Sequence, residues 1–242
     1  MSSTFDSAAD WTDATVAGVP VRLWEPEPAP AGGAIWLADF DGANPEALPG
    51  WREGLAQRPV RMLCPQAGPT WWLDRPDPGF VGADQATAWQ WLREELIPFA
   101  ANRFGGPLAF AGAGPGGQAA IRAGFRQPTP AVWAYAPAVQ LETVHGCGST
   151  LDGLFENEEQ ARVASVLTDV NALARPKRFF LGCDPTEFWA PGCELLVEKL
   201  RSGGVPVQTD FDPRAPADRE SALNAAGRNA AKFLADALTF AV

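Results

Sequence analysis

The 242 residues are 46% hydrophobic and 20% charged, which suits one substantial core of single α/β-domain size and excludes a disordered chain despite 24 Gly and 23 Pro. A formal charge of −10 repels phosphate backbones and anionic lipid, so neither nucleic acid nor a membrane surface is an expected partner. Cys64, Cys147, Cys183 and Cys193 are too scattered for a disulfide scaffold or a CxxC metal site. No metal and no cofactor is therefore expected. The opening MSSTFDSAADW lacks a basic or apolar stretch, and no segment reaches bilayer length, so the expected location is the cytoplasm, with reduced thiols. The single histidine, His145, limits any chemistry that needs imidazole.

Residues 1–18 read as a polar lead-in. Residues 20–24 (PVRLW) form a short strand, and 34–40 (AIWLADF) a continuous apolar run that suits a buried one. A short helix over 46–57 precedes a strand over 59–64 (PVRMLC). A long loop over 65–82 carries Trp71, Trp72 and Asp74. Residues 84–104 form the clearest helix, with Trp89, Leu92, Leu96 and Phe99 at three- and four-residue steps and Asp84 as its N-cap. A strand over 107–112 (PLAFAG) leads through AGPGG into a helix over 117–126. A strand over 130–135 (PAVWAY) follows. Residues 138–175 are an insertion with a helix over 151–167, whose Glu156, Glu158 and Glu159 read as a solvated face. Strand 178–183 (RFFLGC), helix 193–201, strand 205–211 (VPVQTDF) and helix 219–241 complete the chain. This alternation argues one α/β domain over 1–242, with a mostly parallel sheet of seven or eight strands and helices on both faces.

The segment Gly112-Ala113-Gly114-Pro115-Gly116-Gly117 between strand and helix carries the most information. It matches a G-x-S-x-G nucleophile elbow, with Gly114 at the nucleophile position between Gly112 and Gly116. It also matches a G-x-G-x-x-G dinucleotide loop through Gly112, Gly114 and Gly117. Against that second reading, no acidic residue ends the next strand, and Pro115 removes an amide that would face a pyrophosphate. The plainest reading is close packing of helix on strand. The chain order favours the elbow. Asp184 directly follows strand 178–183, where the acid of a hydrolase triad belongs, although DPRAPADRESAL over 212–223 holds no histidine.

The chain resembles the esterase D / S-formylglutathione hydrolase-like branch of the α/β-hydrolase superfamily. The resemblance spans about Pro59 to Phe233. It rests on CPQAGPTWWLDR, GAGPGGQAA, WAYAPA, HGCGSTLDGLFENEEQ, and CDPTEFW followed by ELLVEKLRSGGVPV. It implies an α/β-hydrolase fold with 138–175 as a small lid, and an oligomer such as a homodimer. In such esterases a serine stands at position 114 and a histidine near Asp218; only the acid position, Asp184, fits the pattern.

Three requirements of acyl transfer then fail separately. Gly114 offers no nucleophile, no histidine stands as general base, and Pro115 has no N–H for the oxyanion hole. The expectation is a catalytically inactive esterase homologue with a binding, scaffold or subunit role, with no intact catalytic residue. A vestigial site of Gly114, Pro115, Trp71, Trp72, Asp184 and His145 would take a small apolar ligand, or the chain a protein partner. The tryptophans equally suit packing beneath the insertion. One alternative is an ester or thioester hydrolase rearranged around His145 with Cys147 or Ser149; another is a nucleotide-binding protein using the 112–117 turn.

Overall fold

A computed structural model of the chain describes residues 10–82, 86–171, 174–212 and 219–240. Its strands are β1 (Thr12–Val16), β2 (Val19–Trp24), β3 (Gly33–Leu37), β4 (Met62–Pro65), β5 (Leu108–Ala113), β6 (Ala131–Tyr135), β7 (Arg178–Gly182) and β8 (Val207–Asp210). They form one sheet in the order β1-β2-β4-β3-β5-β6-β7-β8. β2 pairs antiparallel with β1 and β4, and every other pairing is parallel.

The central strands are apolar at every position because both faces are covered, as parallel strands require. Alternation survives in where the side chains go. Trp36 and Trp133 meet Trp51 of helix α1 (Pro49–Gln57) at ring-centroid distances of 5.0 and 5.3 Å. Ile35, Leu37 and Phe110 share the opposite cluster with Trp89, Leu92 and Leu96.

The sequence helix over 84–104 resolves into α2 (Ala88–Trp91), a π-turn (Leu92–Leu96) and α3 (Ile97–Phe104). Pro98 has no N–H to give, and the chain widens by one residue just ahead of it. The N-cap is Thr87, in a reciprocal capping box with Gln90; Asp84 lies outside the described residues. Helix α4 (Gly114–Arg126) begins at Gly114 itself, three residues earlier than expected.

Residues 12–16, read as part of a lead-in, are a strand. TDATV alternates weakly and stays half exposed because it pairs only with β2, at the sheet edge. The single helix expected over 151–167 is broken. Turns at Leu141–Thr143, Thr150–Gly153 and Val166–Asn171 flank a short α5 (Glu158–Ala164), because the Asn157 side chain caps Gln160 N at 3.0 Å and starts a new helix there. Helices α6 (Ala190–Ser202) and α7 (Arg219–Thr239) close the fold, α7 lying along α1. Among the described residues no helix is long and apolar enough to cross a membrane.

Candidate functional site

β5 runs directly into α4, with Ala113 extended and Gly114 at φ +52°. That left-handed turn is the backbone an elbow demands, and glycine adopts it without the strain a serine bears. Gly116 faces the backbone oxygens of Leu37 and Ala38 so closely that any side chain there would displace β3. The glycines thus serve both the turn and the close approach of helix to strand.

What stands over the turn is a residue that sequence reasoning missed. A Cβ on Gly114 would lie 2.5–2.6 Å from the carboxyl atoms of Asp39, in the loop after β3. Asp39 is 6% exposed. Its Oδ1 accepts the Phe40 N–H at 2.7 Å, and its Oδ2 is ion-paired with Arg219 at the start of α7. Arg219 also donates to Glu187, at 2.8 Å and 3.3 Å. The loops after β3 and β7 and the start of α7 therefore converge on an Asp39–Arg219–Glu187 bridge. Burial works against the Arg219 charge; the hydrogen bond to Glu187 and the two carboxylates outweigh it, raising the guanidinium above its ordinary value.

Asp184 is buried in the turn after β7. Its Oδ1 accepts from Thr186 N at 2.8 Å and Thr186 Oγ1 at 2.6 Å, and its carbonyl accepts from Glu187 N. It shapes the turn that presents Glu187 to Arg219. Asp218 lies outside the described residues.

Trp71 and Trp72 are both buried. The Trp71 indole donates to Thr150 Oγ1 of the insertion at 2.9 Å and its ring meets Phe40; the Trp72 indole donates to the Ala38 carbonyl at 3.1 Å. His145 Nε2 lies 3.1 Å from the Phe155 carbonyl, Cys147 Sγ 3.6 Å from the Thr143 carbonyl, and Ser149 Oγ accepts from Leu151 N. Each of the three is engaged within its own loop. Pro115 occupies the first turn of α4 and is buried.

No protein-family model and no curated protein matches the chain. Solved structures do. An S-formylglutathione hydrolase from Agrobacterium tumefaciens superposes with a TM-score of 0.73 at 14% identity, over 95% of this chain and 94% of that one. A ferulic acid esterase gives 0.73 at 14% identity, over 95% and 97%. A fluorophosphonate-binding serine hydrolase of Staphylococcus aureus gives 0.66 at 12% identity, over 93% and 96%. The chain has the α/β-hydrolase fold.

Proposed function

We propose that this α/β-hydrolase-fold protein is catalytically silent and is retained for binding, scaffolding or as a subunit. The observation that carries the reading is the Asp39 carboxylate over Gly114, where a nucleophile's side chain would stand. In this architecture one oxyanion N–H comes from the residue after the nucleophile and the other from the loop that bears Asp39. The first is Pro115, which has none, and in the second loop the Phe40 N–H is spent on Asp39. One oxyanion donor alone is worth about 3–4 kcal/mol of barrier. A fixed carboxylate there also repels the anionic intermediate of acyl transfer. The same charge at the start of α4 disfavours a nucleotide phosphate, which needs that helix end free.

The test is labelling with a fluorophosphonate probe together with hydrolysis of p-nitrophenyl acetate and a thioester. The expected outcome is no adduct and no turnover above buffer. Gly114→Ser is expected to gain neither, and to lose about 1–3 kcal/mol of stability from the left-handed backbone and the collision with Asp39. A covalent acyl adduct on the wild-type chain overturns the proposal. Turnover abolished by alkylating Cys147 would instead establish a hydrolase rearranged around His145 and Cys147.

A further inference from the structure

A second polar cluster lies away from the elbow. It borders an open recess of about 150 Å³ lined by Leu73, Asp74, Arg75, Phe155 and Val163, with Arg122, Arg126 and Asp169 on the α4 side. At 1.5 Å per residue, Arg122 and Arg126 stand about 12 and 18 Å along α4 from Gly114. Asp169 is buried and spent. It accepts from Arg122 Nε at 2.8 Å and from Arg126 Nε and Nη2 at 2.8 and 2.7 Å. Arg122 is buried, with Nε on Asp169 and Nη2 on the Ala164 carbonyl, whereas the Arg126 side chain is 52% exposed.

Arg75 and Arg126 are not spent. Arg75 gives one bond, Nη1 to the Leu154 carbonyl at 3.2 Å, and its Nε and Nη2 have no partner among the described residues. Arg126 Nη1 likewise has none. Both guanidinium carbons lie over aromatic rings, Arg75 at 4.6 Å from the Phe155 centroid and Arg126 at 5.6 Å from that of Trp89. A guanidinium seated over an aromatic ring with free N–H groups is suited to a carboxylate. Three arginines against Asp74 and Asp169 leave this spot net positive on a chain of −10. Asp74 itself accepts from Thr87 Oγ1 at 2.8 Å. One turn before Arg122, Gln118 is fully buried with both amide atoms unpartnered.

We infer that the recess is a binding site for a small carboxylate with an aromatic or branched apolar arm. The carboxylate takes the free edges of Arg75 and Arg126, and the arm lies against Phe155, Leu73 and Val163. The inference is independent of whether the elbow is silent, since none of its residues belongs to the Asp39 bridge.

The experiment is isothermal titration calorimetry of the full chain with phenylacetate, with benzylamine as the cationic counterpart. The comparison is between wild type, Arg75→Gln, Arg126→Gln and the distant exposed Arg201→Gln. Circular dichroism checks the fold of each variant. Arg75, tied only to one carbonyl, keeps the test open if the Arg126 variant fails to fold. Phenylacetate is expected to bind at one equivalent, benzylamine not at all. Affinity should fall about tenfold in each recess variant and be unchanged in Arg201→Gln. Absence of phenylacetate binding overturns the inference. So does equal affinity in wild type and Arg75→Gln, or binding that vanishes in Arg219→Gln and survives in both recess variants.

Discussion

At the scale of single residues, Arg219 holds two carboxylates that would otherwise repel each other in a partly enclosed space. Its side chain is 25% exposed, against 6% for Asp39 and 17% for Glu187. Removing one member of such a group strands charge more than it loses attraction. Arg219→Met is therefore expected to cost about 3 kcal/mol in urea unfolding, and Asp39→Asn in the same chain to recover part of it. Equal stabilities of the wild type and the Arg219 variant would show the bridge to be solvent-screened and inert. The sequence made half of this site legible. Gly114 and Pro115 are readable at one position each, and the missing histidine from the segment 212–223. The bridge was not readable, because Arg219 meets Asp39 across 180 residues and Glu187 across 32. The available signal was an acidic residue, Asp39, inside the apolar run AIWLADF, where burial demands a partner.

At the scale of elements, the tightest contact joins α1 and α7. A Cβ on Gly227 would lie 2.7 Å from the Gly50 carbonyl carbon, and one on Gly54 would lie 2.8 Å from Arg228 Cα and 2.9 Å from Ala231 Cβ. The two helices touch backbone to backbone, which puts Trp51 against Trp36 and Trp133 beneath the sheet's centre. Gly227→Ala should separate them and cost about 1–3 kcal/mol, read as a lowered midpoint of thermal or urea unfolding. An unchanged midpoint would mean that α7 shifts freely along α1. Element types were mostly legible because buried parallel strands are apolar throughout. Strand β1 escaped because edge pairing tolerates polar residues, and the break before α5 escaped although Asn157 with Glu158 and Glu159 is an N-terminal helix signature. The π-turn before Pro98 escaped because apolar periodicity continues through it.

At the scale of the whole molecule, two buried thiols make stability depend on alkaline pH. Burial pushes Cys64 well above the ordinary 9.0, and Cys193 is raised first by its hydrogen bond with Cys183 and then by burial. Above about pH 9 the unfolded chain releases these protons while the folded chain keeps them, so folding weakens by about 1.4 kcal/mol per thiol per pH unit. Below that value both states are protonated and this contribution is fully present. Urea unfolding under reductant between about pH 8 and 10.5 should show the decline. Cys64→Ala should halve the slope, leaving the part due to Cys193; the same slope in that variant would remove Cys64 as a cause. The general architecture, a mostly parallel sheet clad on both sides, was the most legible feature, since it follows from patterning spread over the entire chain. The Asp39 bridge also bears on what the lineage of this protein can become. Serine at 114 arriving alone meets an occupied space, and loss of Asp39 alone leaves a cation facing a single carboxylate. On the reading proposed above, hydrolysis at this turn needs several coordinated substitutions, so the bridge works as an evolutionary ratchet.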